Sequence, residues 1–440
     1  MEDKKDLTKK WEEVLESDGP KLDKYKKWTL AQIFENCKNE NAFAIPQLLT
    51  EASPGPVNST AGIQNFDPIL ISMMRRRLPN LLPFEVAGVQ PMNGPTSLIF
   101  ALRARYNSQT GDEAFYNESN TIFSGLGSAQ NTSGFKGNTA SDISTNPVAN
   151  LEANGYTTGV GMSTALAEYL GSDSNTPFPQ MGITIEKLTV NATTRALSAD
   201  YSQEMAQDMK SIHGLDAEAE LANILGSEMI SAINRQMIRT IYTTAVVGAQ
   251  YGTTTKGYFD LDTDSNGRWT VERFKGLIFQ IERECNAIAR ATRRGKGNII
   301  ICSSDVASAL AMAGVLDYAP AMSADLVVDD TGNTFAGTMH NGRVKVFIDP
   351  YFGGDAVNQD LVVVGYKGKD PFDAGLFYCP YVPIQMVKAI DPNTYQPKLG
   401  MKSRYGMVAN PFAEGLKQGR GELNARSNVY YRIFGVKNLM

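Results

Sequence analysis

The sequence predicts an α+β protein, with helices and strands segregated along the chain. Helical patterns dominate residues 198–296, whereas short apolar strands dominate from residue 297 onward. Earlier in the chain, two strand patterns flank a long stretch rich in Gly, Ser, Thr and Asn. The regular alternation of strand and helix that builds a doubly wound parallel sheet is missing from this order.

Length and composition are those of a globular protein. The chain has 440 residues, of which 42% are hydrophobic and 20% are charged, and such a length normally divides into two or three compact units. No apolar run approaches the roughly 18 residues of a membrane span, and residues 1–30 hold no apolar signal-peptide core. We therefore expect neither a membrane partner nor secretion. Scattered cysteines favour a reducing compartment and disfavour zinc sites or disulfides, at Cys37, Cys285, Cys302 and Cys379.

The first 51 residues form a charged segment with 9 lysines and 11 acidic residues. Its apolar positions recur at helical spacing, at Leu7, Trp11, Val14 and Leu15. A second amphipathic pattern runs through Trp28 and Phe34, so two helices are predicted. The segment has too little apolar surface to fold alone. It either holds a partner or packs on the main domain as a helical hairpin.

Residues 107–180 form a second distinct region, in which 37 of 74 residues are Gly, Ser, Thr or Asn. This is too long for a plain loop inside a compact domain, so we interpret it as a turn-rich inserted subdomain with one helix near 163–170. Strand patterns at 98–106 and 182–197 flank it. The arrangement predicts a long hairpin that carries the insertion at its tip.

The strongest helical pattern follows this hairpin. Ser198 is the predicted cap of a helix that ends at Gly214. Asp216 then opens a longer helix to about Ala245, with acidic residues in its first turn facing the positive end of the dipole. Thirty helical residues span about 45 Å, which suggests a spine for other elements. A further helix is expected over 271–290.

Strands are predicted in the rest of the chain, with a helix begun by Ser304 and Asp305. They are expected at 299–302, 343–348, 361–366, 375–379, 383–390 and 429–436. These short apolar runs indicate a mixed sheet.

No motif in the chain supports catalysis, a metal ion or a cofactor. Residues 262–273 match the first half of a calcium-binding loop, but Arg273 stands where a bidentate Glu is required, so a turn is favoured. GVGMST (159–164) lacks the third Gly of a phosphate-binding loop. The two histidines lie far apart: His340 stands alone, and His213 precedes Gly214 at a helix end, where capping is expected. We therefore expect a protein that is not an enzyme.

Two clusters of arginine are the remaining candidates for binding. Arg75, Arg76 and Arg77 are expected to contact either DNA phosphates or a neighbouring subunit. Arg293 and Arg294 are interpreted as solvated surface or as residues of inter-subunit salt bridges, since no nucleic-acid reader motif accompanies them.

Four long stretches of this chain resemble the major capsid proteins of T-even-like contractile-tailed phages. They are GVQPMNGPTSLIFALRARY (88–106), LSADYSQEMAQDMK (197–210), SIHGLDAEAELANILGSEMISAINRQMIRTI (211–241) and DPNTYQPKLGMKSRYGMVANPF (391–412). The resemblance is weakest over 107–180, where the family carries a variable insertion.

The resemblance implies an HK97-like capsid fold and assigns a role to each part of the chain. In order these are a cleavable scaffold-binding propeptide (1–51), an N-arm (52–97), an E-loop hairpin (98–197) with an insertion domain (107–180), a peripheral domain (198–296) with a spine helix (216–245), an axial domain (297–390) and a C-terminal return to both domains (391–440).

The same resemblance implies proteolytic maturation. In the family, a prohead protease cuts after a Leu/Ile-x-Glu motif, which Leu49 and Glu51 match, leaving Ala52 as the new N-terminus. Pro54 and Pro56 disfavour a helix there, as a cleavable site requires. The implied partners are further copies in hexamers, the vertex protein, the portal, the internal scaffold, the protease, a folding chaperonin, decoration proteins and packaged double-stranded DNA. The expected location is the virion, assembled in the host bacterial cytoplasm.

Three other functions remain open at this point. The related pentameric vertex protein shares much of the pattern. A non-viral compartment shell with an HK97-like fold would lack the cleavable propeptide (1–51), which we call the leader. A calcium-dependent enzyme or binding module would use residues 262–273.

Overall fold

The structure is a computed structural model of the chain. The structure describes residues 7–12, 15, 23–44, 81–111, 114, 123–125, 161–171, 178–265, 267, 269–314, 316–317, 334–339, 342–351, 360–390, 396–410 and 425–439. Within these residues the chain mixes helices and strands, and the predicted α+β class is confirmed.

The described helices are, in chain order, α1 (Lys24–Ala44), α2 (Pro83–Val86), α3 (Thr164–Glu168), α4 (Gln203–Asp208), α5 (Ala217–Thr244), α6 (Thr270–Thr292) and α7 (Ser304–Met312). A 3₁₀ turn covers Phe123–Gly125 and a π-helical turn covers Met209–His213. No helix of the described residues is long and apolar enough to cross a membrane.

The described strands are β1 (Gly88–Val89), β2 (Thr96–Tyr106), β3 (Met181–Asn191), β4 (Thr193–Asp200), β5 (Ala245–Val247), β6 (Tyr258–Asp260), β7 (Ile299–Cys302), β8 (Leu316–Asp317), β9 (Thr334–Met339), β10 (Val344–Ile348), β11 (Asp360–Gly365), β12 (Leu376–Ile390), β13 (Pro397–Ala409) and β14 (Asn428–Lys437).

The chain divides into two compact units. The main unit comprises Met1–Ser97, Thr189–Ala413 and Gly419–Met440, and the hairpin unit comprises Leu98–Leu188 and Glu414–Gln418.

Helix α5 is the longest described element of the main unit, as its sequence pattern predicts. The Asp216 side chain caps it by accepting a hydrogen bond from the Glu218 backbone N–H at 3.2 Å. Its buried face includes Met229, Ile233 and Ile241. This face joins the core formed with α1, β12 and β13, so the apolar stripe is used for packing.

One sheet of the main unit has the strand order β1-β12-β13-β4. Strands β12 and β13 pair along most of their length, with the register shifting between Pro380 and Gln385. The two strands predicted at 375–379 and 383–390 are therefore a single irregular strand. Pro380 and Pro383 lack the N–H that a ladder requires, which accounts for the break in the sequence pattern. Strand β13 was not predicted from residues alone.

The second sheet of the main unit is mixed and has the order β5-β14-β11-β7-β10-β9-β8, with β6 also on β14. Strands β7 and β10 are parallel, whereas β11 is antiparallel to both β7 and β14. Helices α6 and α7 cover one face and complete a second core. The predicted strands at 299–302, 343–348, 361–366 and 429–436 are confirmed to within one or two residues.

The helix predicted from Ser198 is wrong at its beginning. Residues 193–200 form β4, which pairs antiparallel with β13 from Tyr405↔Thr193 to Lys398↔Asp200. Tertiary pairing therefore overrides the local capping signal. The helix begins after Ser202, whose side chain accepts a hydrogen bond from the Met205 N–H. Gly214 ends the π-helical turn at a φ of 67°, as expected of a C-terminal glycine.

The cysteines of the described core are isolated thiols. Cys285, Cys302 and Cys379 are free and buried, and burial raises the pKa of each to about 12.

Candidate assembly surfaces

Several residues singled out in the sequence lie outside the described residues. These are Leu49, Glu51 and Ala52 of the expected cleavage site, Arg75, Arg76 and Arg77 of the first arginine cluster, and His340. Their roles stay predictions.

The calcium-like loop is a turn closed by its own side chains. Arg273 forms an ion pair with Asp262, which is a potential first ligand. Asp264 accepts hydrogen bonds from the Thr254 N–H at 2.7 Å and the Asp260 N–H at 3.0 Å. No cluster of three metal-ligating side chains occurs in the described part of the chain. In the described part of the loop, the Arg273 guanidinium lies at the Asp262 carboxylate that calcium would need, an arrangement that favours the predicted turn.

The other sequence motifs have local structural roles. His213 is exposed at the end of the π-helical turn. Ser163 of GVGMST accepts a hydrogen bond from the Leu166 N–H and caps α3. Arg293 ends α6 at a φ of 57°, and Arg294 lies 3.5 Å from Asp373. Both arginines are exposed, as predicted for surface residues, whereas the Arg294 pair lies within one chain and a role between subunits stays a prediction.

The hairpin unit contains an unusual two-stranded sheet formed by β2 and β3. Its large apolar side chains alternate along both strands on the exposed face, and Phe100 and Ile185 are 57% and 68% exposed. The set comprises Leu98, Phe100, Leu102, Met181, Ile183 and Ile185, and we call it the apolar face. A contiguous apolar patch of this kind marks an interaction site rather than ordinary surface.

The opposite face of the same hairpin carries buried charges. Arg103 and Arg105 are 5% and 7% exposed. Glu186 lies 3.4 Å from Arg103 and 3.7 Å from Arg105, and Arg105 donates a hydrogen bond to the Gly111 carbonyl at 2.9 Å. The ordinary arrangement of apolar core and polar surface is thus inverted. The alternation in LIFALRARY (98–106) contained this signal, but sequence reasoning used it only to predict a strand.

The leader is folded against the main unit. In α1, Leu30, Ala31 and Phe34 are buried in the same core as Leu81 and Tyr378. Among the described leader residues, α1 therefore packs on the main domain.

Residues 7–15 cover the outer side of this helix. The ring of Trp11 lies 5.6 Å from the ring of Phe34, centroid to centroid. The Trp11 indole N–H donates to Glu35 at 3.0 Å, and Lys10 approaches the same carboxylate at 2.7 Å.

Polar contacts also join α1 to the main unit. The Asn36 amide donates to the carbonyls of Met92 at 2.6 Å and Tyr381 at 3.0 Å. The Tyr25 hydroxyl donates to the Val89 carbonyl. Because both side chains reach backbone atoms, they fix the position of the helix as well as adding to its burial.

A charged cluster surrounds Glu85 beside α1. Lys26 of the leader lies 3.0 Å from this carboxylate, and Lys345 also contacts it. Desolvation by burial acts to raise the pKa of Glu85, but hydrogen bonds from Lys345 and Lys26 outweigh it and lower the pKa to about 2. Nearby Lys367 donates to the Phe84 carbonyl, and burial lowers its pKa to about 8.

Two buried carboxylates tie the main unit together. Asp349 accepts hydrogen bonds from Arg235 of α5 at 2.7 and 2.8 Å and from Tyr242 at 2.7 Å. Glu284 of α6 accepts from Arg432 of β14 at 2.7 Å. Both carboxylates lie within cores and pair with arginines, as structural buried charges do.

The described surface and core define a class of protein. The ionisable clusters are internal salt bridges, whereas the most distinctive exposed feature is an extended hairpin with an apolar face. These are properties of a structural subunit built to associate with other chains.

The family model of the major capsid protein Gp23 matches residues 63–436. The major capsid protein of Serratia phage KSP90 is 40% identical over 88% of this chain and 88% of its own length. That of Salmonella phage ViI is 42% identical over 82% of this chain and 80% of its own. The chain therefore belongs to the Gp23 family of major capsid proteins of T4-like phage heads. The family is structural rather than enzymatic, forms part of the virion and implies self-assembly into a capsid.

More distant matches are weaker. The capsid vertex protein of Enterobacteria phage T4 is 25% identical over 52% of this chain and 52% of its own length, so the comparisons favour the major capsid protein over the vertex alternative. Among solved structures, the capsid of Myoviridae phage XM1 aligns over 81% of this chain and 92% of that chain, with 9% identity and a TM-score of 0.38.

Proposed function

We propose that this chain is the hexamer-forming subunit of an icosahedral or prolate phage head that encloses double-stranded DNA. The head protein would have an HK97-like architecture with the six parts expected from the sequence. In this assignment α5 is the spine helix, β2 and β3 form the E-loop, and strands β7 to β11 of the second sheet belong to the axial domain.

The apolar face of the β2–β3 hairpin is the observation that carries this proposal. An isolated two-stranded hairpin is marginally stable in water unless one face is packed. Burying a side chain the size of Phe100 stabilises an interface by about 1.5–3 kcal/mol. Closed rings require one patch to meet a different patch on the next copy. The apolar face supplies the first patch, which would lie across a neighbouring subunit.

Maturation is the second part of the proposal. A prohead protease would cut after Glu51, once Leu49 and Glu51 have been recognised, and Ala52 would begin the mature chain. The sequence after the cut supports this, since Pro54 and Pro56 disfavour a helix there. Removal of the leader would clear space inside the shell before DNA enters.

The partners follow from the proposed role in the shell. They are the internal scaffold and protease during assembly, the vertex protein and portal in the lattice, a chaperonin during folding, and decoration proteins on the exterior. Packaged DNA would be contacted without sequence specificity. Arg75, Arg76 and Arg77 are the proposed DNA or inter-subunit contacts, because clustered guanidinium groups suit phosphates and carboxylates.

A charge placed on the apolar face tests the proposal. Phe100→Glu combined with Ile185→Glu, carried by the phage in place of the parental sequence, should abolish particles that sediment as heads. Thr96→Glu is the matched control, because Thr96 is an exposed polar residue of the same strand. Circular dichroism checks that both variants fold, which is expected since the changed side chains are exposed. Normal head formation by the double variant would refute the role of the apolar face.

A further inference from the structure

We propose that the leader is an intramolecular ligand of a groove on its own main unit, and that cutting after Glu51 leaves it bound. Release of the leader would then be a separate step controlled by the groove. This inference rests on the proposed function for the cut alone. The docking of the leader is supported by contacts within the main unit.

The groove is the part of the main unit against which the apolar face of α1 packs. Leu30 and Phe34, spaced one helical turn apart, are 0% and 1% exposed. They pack into the core that also contains Leu81 and Ile384, and α1 lies against β12. Burial this complete is typical of an internal core contact. A severed leader would have to expose these side chains to water in order to leave.

Asn36 gives the groove a specific polar contact. Its amide is 5% exposed and joins the Met92 and Tyr381 carbonyls. Tyr381 is skipped at the first of two irregularities in the β12–β13 ladder, where Pro380 pairs with Tyr405 and Val382 with Arg404. A residue skipped in a bulge is left outside the ladder. The Asn36 amide of the leader therefore binds a backbone carbonyl that the irregular strand β12 leaves outside its ladder.

Ionic contacts and a second layer complete the docking. Lys26 contributes to the charge around Glu85, and its ammonium lies 5.9 Å from the Phe84 ring centroid. Trp11 then closes over Phe34 from the outside. Each of these contacts is noncovalent, and its leader residue precedes Glu51 in the chain. A single cut after Glu51 therefore breaks none of them.

The docked leader also restricts how a scaffold could bind it. The apolar face of α1 is occupied, whereas charged side chains such as Lys9, Glu12, Asp23 and Lys24 are exposed. A partner that binds the seated leader would use charge complementarity, with the salt dependence of exposed ion pairs.

The test uses the full chain with residues 49–51 replaced by the recognition site of a specific protease. The folded precursor is cut, and size-exclusion chromatography with mass spectrometry measures how much leader stays with the 52–440 fragment. The parental leader should co-elute. Phe34→Ala should weaken retention by about 100-fold or more, as loss of a buried aromatic side chain predicts. Asn36→Ala should weaken it by about tenfold or more. The control Lys24→Ala should leave it unchanged.

Exchange of a labelled leader peptide keeps the test decisive when a variant precursor fails to fold. The peptide, parental or variant, competes with the leader seated on the cut parental chain. Parental peptide should exchange in, and Phe34→Ala peptide should not. Immediate loss of the parental leader after cutting would overturn the inference. The proposed function would survive that result, because it requires only that heads contain chains beginning at Ala52.

Discussion

Replacing Asp349 with alanine removes a buried carboxylate from the contact between α5 and the end of β10. Asp349 is 0% exposed. It accepts from Arg235 and Tyr242, and from the Tyr351 backbone N–H at 3.1 Å. The Arg235 guanidinium also lies over the Tyr351 ring, with 4.8 Å between the guanidinium carbon and the ring centroid. The substitution therefore removes the one acceptor that these three donors share.

The expected loss of stability follows from these contacts. Hydrogen bonds to a charged group contribute about 1.5–3 kcal/mol each, so three at the lower limit give roughly 4–5 kcal/mol. Removing one partner of a buried ion pair costs about 3–5 kcal/mol in other proteins. The two estimates agree. Asp349→Ala should therefore destabilise the main unit by about 4 kcal/mol.

Urea unfolding of the unassembled chain, followed by tryptophan fluorescence, measures this loss. Asp262→Ala is the control, because Asp262 belongs to an exposed pair with Arg273 and such pairs contribute about 0–1 kcal/mol. The double variant Arg235→Met, Asp349→Leu should be more stable than Asp349→Ala, since it replaces both members of the ion pair with apolar side chains. A loss below about 1 kcal/mol for Asp349→Ala, or a double variant less stable than the single one, would refute the reasoning.

Three further predictions concern the leader, the thiols and the turn. Contacts with lysine lower the pKa of Glu85 to about 2, so the stabilisation from its charge is fully present above the ordinary pKa near 4.5 and is lost as pH falls toward 2. Retention of the cut leader should therefore weaken as pH falls from 4.5 to 2. The same pH titration of Glu85→Gln should lack the part of this loss that protonation of Glu85 causes. Calcium should not change the unfolding temperature of the chain measured by calorimetry, because Arg273 already forms an ion pair with Asp262. A higher unfolding temperature with calcium would contradict the assignment of a turn. Iodoacetamide at pH 8 should label the buried thiols of Cys285, Cys302 and Cys379 only after denaturation, because burial raises the pKa of each to about 12. Peptide mass spectrometry measures the labelling, and rapid labelling of these thiols in the folded chain would contradict the prediction.

The sequence predicted best those elements whose pattern is long and local. Helix α5 could be identified because its apolar period persists for eight turns and Asp216 provides a cap. The strands of the second sheet could be identified because each is a short apolar run. By contrast, β4 was mistaken for a helix beginning, since its conformation depends on pairing with β13.

The candidate surfaces were harder to predict because they join distant residues. Asn36 and Tyr381 are 345 positions apart, and no local pattern brings them together. The amphipathic pattern of the leader predicted a helix but could not say what would cover its apolar face. The apolar face of the hairpin was visible in LIFALRARY, yet alternation alone does not reveal which side of a strand is buried.

The mass of the chain's N-terminus in DNA-filled heads tests the central claim most directly. Heads are sedimented from an infected lysate, and the major protein is analysed by intact and peptide mass spectrometry. The proposed function predicts that this chain is the major protein and that it begins at Ala52. Heads whose major protein is another chain, or in which this chain still begins at Met1, would contradict it.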